Sequence, residues 1–145
     1  MPLELKGRVM EGLGEGRKYV AMPLYNLLLT EILNGRAPFP GTLNIAVEQG
    51  VKLIATLCRP RSIRSAVING RLFGGFMYWL GCINSTKNTE YGVMPHKVVV
   101  LRPFLSKHPP NVLEAVSSEN LRRSLKLKSG DEVKLTLICG NEVGP

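Results

Sequence analysis

The apolar residues of this chain fall into short segments separated by turns rich in glycine, proline and asparagine. Residues 3–9 alternate between apolar and polar, which is the period of a strand with one buried face. Asn69-Gly70 lies between two apolar segments, as in a type I′ hairpin turn. Pro23 to Asn34 has helical spacing, with proline at the first helical position and Gly35 as the stop. The pattern predicts a mainly β protein, a β-barrel with one or two short helices.

The other predicted elements are also short. Strands are predicted at residues 19–22, 43–47, 51–57, 76–83, 97–101, 112–116 and 133–138, a kink at Gly74-Gly75, a short helix at 119–125 capped by Ser117 or Ser118, and exposed loops at 84–95 and 103–111. No internal repeat and no linker divides the 145 residues. Residues 1–145 are therefore predicted to form a single domain.

Composition narrows the class of protein. A hydrophobic fraction of 44% and a charged fraction of 21% fit a globular chain rather than a disordered one. No segment has the apolar length of a membrane span, and the N-terminus lacks a signal-peptide profile. We therefore expect a cytoplasmic protein with no membrane partner. Cys58, Cys82 and Cys139 are odd in number and form no CxxC pair, so we interpret them as small buried residues rather than zinc ligands.

The net charge of +8 indicates an anionic partner. Nucleic acid and a nucleoside triphosphate are both candidates, although charged segments such as 59–64 and 122–128 are more often solvated faces. The aromatic residues do not alternate with the basic ones, as stacking platforms for nucleic acid would. A nucleic-acid partner is therefore disfavoured.

The segment Pro38-Phe39-Pro40-Gly41-Thr42-Leu43-Asn44 is unlike ordinary core sequence. Its prolines restrict the backbone and its glycine permits a sharp turn. Thr42 and Asn44, two residues apart at the start of a strand, project to the same side. Two neutral oxygen ligands suit a magnesium ion that arrives with phosphates. The alternative is a turn in which both side chains satisfy local backbone groups, and from this segment alone that alternative is preferred.

The loop at residues 12–16 has glycine at every second position and is followed by Arg17 and Lys18. Glycines let backbone N–H groups turn toward a phosphate. The glycine spacing matches neither the P-loop nor the Rossmann fingerprint. In addition, the loop is predicted to lead into a strand, whereas those motifs open a helix. A flexible hairpin connection is the alternative.

Glu114 is the one acidic residue in the apolar strand predicted at 112–116. It either occupies the solvent face or faces a pocket, where it would accept a hydrogen bond from a ligand or take a proton from a hydroxyl. His96 and His108 have no matching nucleophile in a recognisable motif.

Taken in order, these segments resemble the archaeal CTP-dependent riboflavin kinases. The resemblance rests on Gly12-Leu13-Gly14-Glu15-Gly16-Arg17, on Pro38 to Asn44, on Arg71-Leu72-Phe73-Gly74-Gly75, on Glu114, on Leu121-Arg122 and on residues 127–133. It implies a single-domain cradle-loop β-barrel, similar to the riboflavin-synthase barrels. It also implies transfer of a phosphoryl group from CTP to the 5′-hydroxyl of riboflavin, giving FMN and CDP, with Mg²⁺ as cofactor.

The resemblance also assigns roles to residues. The nucleotide would be bound by Gly12, Leu13, Gly14, Glu15, Gly16 and Arg17 and by Glu119, Asn120, Leu121 and Arg122. Thr42 and Asn44 would hold magnesium, and Ser106 and Glu114 would contact the flavin. Glu114 is also the candidate general base. Such a set suits phosphoryl transfer, which depends on positioning and on neutralising charge.

Two features depart from the family pattern. Ser106 stands where threonine is expected, although the hydroxyl is kept, and segment 84–95 is longer than the family requires. The alternatives are a flavin- or nucleotide-binding barrel without catalysis and a basic nucleic-acid-binding barrel. A monomer is favoured, and the residues alone do not decide between CTP and ATP.

Overall fold

The structure is a computed structural model that describes residues 2–12, 15–86 and 95–140. Within these residues there are nine strands and four helices. The strands are β1 (Pro2–Met10), β2 (Leu43–Val47), β3 (Arg61–Ile63), β4 (Ala66–Ile68), β5 (Arg71–Phe73), β6 (Phe76–Ser85), β7 (His96–Pro103), β8 (Val112–Val116) and β9 (Glu132–Ile138). The helices are α1 (Glu15–Val20), α2 (Pro23–Ile32), α3 (Val51–Leu57) and α4 (Leu121–Ser124).

Six strands close into an antiparallel barrel in the order β6-β7-β8-β2-β1-β9, with β9 pairing back to β6. The long strand β6 makes the closure possible, because its residues 76–78 pair with β3 while residues 80–85 pair with β9. Closure leaves the barrel without an unpaired edge. The predicted mainly β barrel is confirmed.

Two apolar clusters hold this architecture together. Alternate residues of the strands fill the barrel, among them Ile45, Trp79 and Leu113, all nearly inaccessible to solvent. The second cluster lies on the outer face of β6, β7 and β8 beneath α1 and α2, and it consists of Val20, Leu29, Phe76, Tyr78, Val99, Leu101 and Val116. Burial of each such aliphatic side chain contributes about 1.5–3 kcal/mol. The barrel therefore has an inner core and a helix-covered outer face.

Two strand predictions were wrong. Residues 15–20 form helix α1, so the glycine-rich loop leads into a helix, and residues 51–57 form helix α3. Such short apolar segments fit the hydrophobic period of a strand as well as that of a helix, and packing decides between the two structures. In α3, Ile54 is fully buried while Leu53 and Leu57 are exposed, so one face lies on the barrel. One or two helices were expected, whereas the described residues contain four.

Among the other local predictions, the Asn69-Gly70 turn was confirmed, whereas some element boundaries and one helix cap were not. Asn69 and Gly70 both have positive φ, 51° and 76°, as a type I′ turn requires. Helix α2 ends two residues earlier than predicted, and α4 is capped by Asn120, which accepts from the Arg123 amide, rather than by Ser117 or Ser118. Strand β6 includes Asn84 and Ser85, which were predicted to lie in a loop. Residues 87–94 of that predicted loop lie outside the described residues.

The prediction that the cysteines are buried was confirmed for Cys58, which is fully buried, and was wrong for Cys82 and Cys139, which are partly exposed. Cys58, at the end of α3, forms a disulfide with Cys139, just after β9, across a sequence separation of 81. The Gly140 amide also donates to the Arg59 carbonyl beside it. Cys82 is free and partly exposed. The pairing depends on how the barrel brings distant segments together, which spacing along the chain does not reveal.

No helix in residues 2–12, 15–86 and 95–140 is both long enough and apolar enough to cross a membrane.

Candidate active site

A cavity of about 450 Å³ lies on the outer face of the barrel, between α2, the β4–β5 hairpin and the loop that follows β7. We call it the apolar pocket. Most of its wall is apolar or aromatic, from Tyr25, Ile68, Leu72, Phe73, Phe76 and Leu105. Its polar groups include Tyr19, Ser106 and Glu114. Such a cavity, apolar with a few convergent polar groups, is typical of a small-molecule site.

A second cavity, of about 530 Å³, lies next to it, and we call it the polar pocket. Its wall includes the turn at residues 39–44, the segment at 119–122, and Gly12 after β1. Arg17, Lys18 and Arg122 give it three cationic side chains, against the carboxylates of Glu11 and Glu119. The polar pocket therefore suits an anionic ligand.

Glu114 joins the two pockets. Its carboxylate is buried, with the residue only 3% exposed, and its Oε1 accepts hydrogen bonds from the Thr42 hydroxyl at 2.9 Å and the Tyr19 hydroxyl at 2.8 Å. Thr42 belongs to the wall of the polar pocket, whereas Tyr19 and Glu114 belong to the wall of the apolar pocket. A ligand in either pocket therefore lies close to this carboxylate.

The surroundings of Glu114 affect the acidity of Tyr19. Burial raises the pKa of the Tyr19 phenol well above its usual value, and the charge and hydrogen bond of Glu114 raise it further. Both effects disfavour the phenolate. Tyr19 therefore remains a hydrogen-bond donor to Glu114 at neutral pH.

Arg102 fixes the loop that carries Ser106. Its guanidinium donates to the carbonyls of His108, Pro109 and Val112 at 2.7–3.0 Å. Burial lowers the pKa of Arg102, and the charge of Glu114 partly opposes that effect. Within the loop, the Ser106 hydroxyl accepts from the His108 amide. Ser106 is thus held at the wall of the apolar pocket.

Asn44 lies opposite Glu114 in the pairing of β2 with β8. It is only 6% exposed, and its Oδ1 is buried without a hydrogen-bond partner among the residues that the structure describes. A buried amide oxygen normally has a partner, because leaving one unpaired costs free energy. The Thr42 hydroxyl lies in the same pocket wall. Two neutral oxygens of this kind fit the ligand preference of magnesium.

Within the described ranges, no three His, Cys, Asp or Glu side chains are grouped to hold a metal ion.

The aromatic wall of the apolar pocket was missed by the sequence analysis. Tyr25 stacks on Phe73 with ring centroids 4.3 Å apart, and Tyr19 lies 5.4 Å from Tyr25. The Tyr25 hydroxyl donates to the Gly74 carbonyl. Phe73 is the last residue of the predicted hairpin, so its position next to the Gly74-Gly75 kink was the available signal. No signal marked Tyr19, because its segment was interpreted as a strand.

The structure groups the residues that the resemblance singled out. Gly12, Arg17, Thr42, Asn44, Glu119, Asn120, Leu121 and Arg122 line the polar pocket, and Ser106 and Glu114 line the apolar pocket. Glu15 and Gly16 open α1, and Leu13 and Gly14 lie outside the described residues. Their binding and catalytic roles stay predictions.

Comparison with known proteins gives a consistent match. A family model named for CTP-dependent riboflavin kinase (CTP-dep_RFKase), and described as a domain of unknown function, DUF120, matches residues 9–137. This range contains all of β2 to β8 and the residues of both pockets.

Individual relatives carry the name riboflavin kinase. The protein of Staphylothermus marinus is 34% identical over 137 residues, which are 94% of this chain and 93% of the relative. The protein of Ignicoccus hospitalis is 33% identical over 92% of this chain and 70% of the relative. That of Thermococcus kodakarensis is 37% identical over 91% of this chain, although this covers only 57% of the relative.

Proposed function

Because the chain belongs to the CTP-dependent riboflavin kinase family, we propose that it transfers the γ-phosphoryl group of CTP to the 5′-hydroxyl of riboflavin. The bond between the γ-phosphorus and the oxygen that bridges it to the β-phosphate breaks, and a bond from the 5′-oxygen to that phosphorus forms. The hydroxyl loses its proton, and the products are FMN and CDP.

The hydrogen bond between Thr42 and Glu114 is the observation that supports this proposal most strongly. It joins the wall of the polar pocket to the wall of the apolar pocket through atoms 2.9 Å apart. A kinase must bring a hydroxyl and a terminal phosphate into contact, since positioning supplies much of the catalysis of phosphoryl transfer. Neighbouring pockets of opposite character, meeting at one carboxylate, provide that arrangement.

We assign riboflavin to the apolar pocket. Its stacked Tyr25 and Phe73 rings, with Leu72 and Leu105 beside them, suit a planar and largely apolar ring system. The flavin would extend its ribityl chain toward Ser106 and Glu114. These polar groups would orient the chain so that the 5′-hydroxyl faces the neighbouring pocket.

We assign CTP to the polar pocket. Arg17, Lys18 and Arg122 line it and carry the positive charge that a triphosphate requires. Arg122 is held in place because its guanidinium donates to the Met10 carbonyl at 3.2 Å. Asn120 and Leu121 would lie near the base, and Gly12 near the phosphates.

We further propose that Thr42 and Asn44 hold a magnesium ion together with the nucleotide phosphates. The buried Asn44 Oδ1, which has no hydrogen-bond partner within the described part of the chain, supports this assignment. Such an ion would neutralise the charge that develops on the phosphate oxygens. The Thr42 hydroxyl directs its proton to Glu114, which leaves its lone pairs for the polar pocket.

Glu114 would accept the proton of the riboflavin hydroxyl. The loose transition state of phosphoryl transfer makes a modest demand on a base, so orientation of the hydroxyl by the carboxylate is the larger part of this role. Arg17 and Lys18 would offset charge on the transferred group.

The test is phosphorylation of riboflavin by the purified protein with CTP, ATP, GTP or UTP in separate reactions, each with and without Mg²⁺. Products are separated by chromatography and detected by flavin fluorescence. We expect FMN with CTP and Mg²⁺, and its loss in Thr42→Ala and Asn44→Ala. The matched control is Asn111→Ala, because Asn111 lies outside both pocket walls and donates to the Val47 carbonyl.

The other outcomes are equally informative. FMN formed equally well with ATP would keep the kinase and remove the CTP assignment. Riboflavin and CDP bound without turnover would indicate a binding protein without catalysis. No FMN and no flavin binding from folded protein would contradict the proposed function.

A further inference from the structure

The hydroxyl of Tyr19 has no role in the reaction described so far, although it contacts the carboxylate at the junction of the two pockets. We propose that Tyr19 is a positioning residue, which holds Glu114 so that its carboxylate serves both the acceptor hydroxyl and Thr42. This inference rests on the proposed function and extends it to a residue that the family motifs do not include.

The two donors converge on a single atom. Tyr19 and Thr42 both donate to Oε1 of Glu114, at 2.8 Å and 2.9 Å. They approach from different elements, since Tyr19 belongs to α1 and Thr42 directly precedes β2. Two donors on one oxygen fix the plane and tilt of the carboxylate. Neither of these two hydrogen bonds involves Oε2 of Glu114. We assign Oε2 as the atom that contacts the hydroxyl of the acceptor.

Tyr19 also acts on Thr42 through the carboxylate. A hydroxyl has one proton, so the Thr42 lone pairs are directed to the polar pocket only while that proton has a fixed acceptor. Partners that orient a ligand in this way commonly change its affinity for a metal. Loss of the Tyr19 hydroxyl would let Glu114 turn and would release Thr42 with it.

Tyr19 is itself firmly placed. Its neighbour Val20 is only 1% exposed and packs in the outer cluster, and the Tyr19 ring lies against Tyr25. The same short helix carries Arg17 and Lys18 into the wall of the polar pocket. One element thus presents cations to the nucleotide and a hydroxyl to the carboxylate of the acceptor pocket. The phosphates and the carboxylate are therefore held in a fixed spatial relation.

The principal variant is Tyr19→Phe, which removes only the hydroxyl. We expect kcat for riboflavin phosphorylation to fall roughly tenfold to hundredfold, because a small displacement of a catalytic group is costly. At saturating Mg²⁺, the KM values for riboflavin and CTP should change by less than about threefold, since neither pocket wall loses its ring or its cations. A purely structural role would not produce this separation of kcat from KM.

A double-mutant cycle with Glu114→Gln isolates the interaction. In the Glu114→Gln background, Tyr19→Phe should lower kcat by less than about threefold, because the group it positions is already gone. The matched control is Tyr25→Phe, which removes a hydroxyl of the same aromatic cluster that donates to the Gly74 carbonyl. Its effect should be the same in both backgrounds.

Protein with 4-fluorophenylalanine at position 19 covers the case in which Tyr19→Phe does not fold. It keeps the ring and nearly the size of the hydroxyl but has no O–H to donate to Glu114, so a lower kcat with unchanged KM values supports the role. An unchanged kcat in that protein, or equal effects of Tyr19→Phe in both backgrounds, overturns it. The wild-type protein is assayed in the same series to separate the role of Tyr19 from the kinase activity. If the wild type forms no FMN at all, the proposed function is overturned as well.

Discussion

The two pockets are neighbours on one face of the barrel, yet they are built differently. The apolar pocket is walled by aromatic and aliphatic side chains, with Tyr25 stacked on Phe73. The polar pocket is walled by a proline-glycine turn, a short helix terminus and three cations. Under the proposed function, the acceptor would be recognised mainly by shape and apolar contact, and the donor mainly by charge. The proposed reaction lies at the boundary, where Tyr19, Thr42 and Glu114 meet.

This contrast predicts that variants fall into three groups. Changes at the boundary should lower turnover and preserve binding, whereas a change in either pocket should weaken one ligand and leave the other alone. A variant in one group that has the effect expected of another group would contradict this comparison.

Glu114→Gln should have the largest effect. We expect kcat to fall by about 10²–10⁴-fold, because the side chain loses its ability to accept a proton while keeping its shape. Riboflavin and CDP should bind within about threefold of wild type. Steady-state kinetics and fluorescence quenching measure the two quantities. A kcat within threefold of wild type would show that the boundary carboxylate has no part in the reaction.

Asn44→Ala should have the next largest effect. The Mg²⁺ concentration for half-maximal activity should rise about tenfold to hundredfold, as for other losses at metal sites. Riboflavin affinity should not change. Because Oδ1 has no hydrogen-bond partner to lose among the described residues, the melting temperature should fall little. An unchanged Mg²⁺ requirement, with Asn111→Ala as reference, would remove Asn44 from the proposed metal site.

Phe73→Ala and Arg17→Ala should each lower the affinity for a different ligand. Phe73→Ala should weaken riboflavin roughly tenfold, about 1.4 kcal/mol, and leave CDP unaffected. Arg17→Ala should weaken CDP to a similar extent, with a reduced salt dependence, and leave riboflavin unaffected. Titration of both ligands into both variants gives the four affinities. If either variant weakened both ligands equally, the pockets would not be independent sites.

The smallest predicted effect concerns alkaline pH. Because the pKa of Tyr19 is raised in the folded protein, the unfolded chain loses this proton first as pH rises above about 10. The stabilising contribution of the protonated phenol is present below that pH and is lost as pH rises toward the folded-state pKa. The free energy of unfolding should therefore fall more between about pH 8 and about pH 11 in wild type than in Tyr19→Phe. Equal slopes in denaturant titrations would contradict the buried interaction.

Much of the fold was predictable because its signals are local. The Asn69-Gly70 turn and the alternating strands depend on residues close together in sequence. The helices α1 and α3 were not predictable from their periods, because six or seven residues fit both a strand and a helix. The disulfide between Cys58 and Cys139 was missed because only the closed barrel brings these residues together.

The candidate site also has features that local sequence predicted and features that it did not. The turn that presents Thr42 and Asn44 was identified from prolines, a glycine and a strand that follow one another in sequence. The contact of Tyr19 with Glu114 spans 95 residues and arises from the packing of α1 against the outer face of the barrel. Local patterns therefore pointed to the proposed metal ligands, whereas the contact of Tyr19 with the carboxylate required the structure.

The central claim, that two pockets meet at Glu114, is tested most directly by NMR titration of isotope-labelled protein with riboflavin and, separately, with CDP and Mg²⁺. Riboflavin should shift the amide signals of Phe73, Gly74 and Ser106, and CDP those of Gly12, Thr42 and Asn120. Glu114 should respond to both ligands. Overlapping shifts throughout both sets, or a Glu114 signal that responds to neither ligand, would contradict the account.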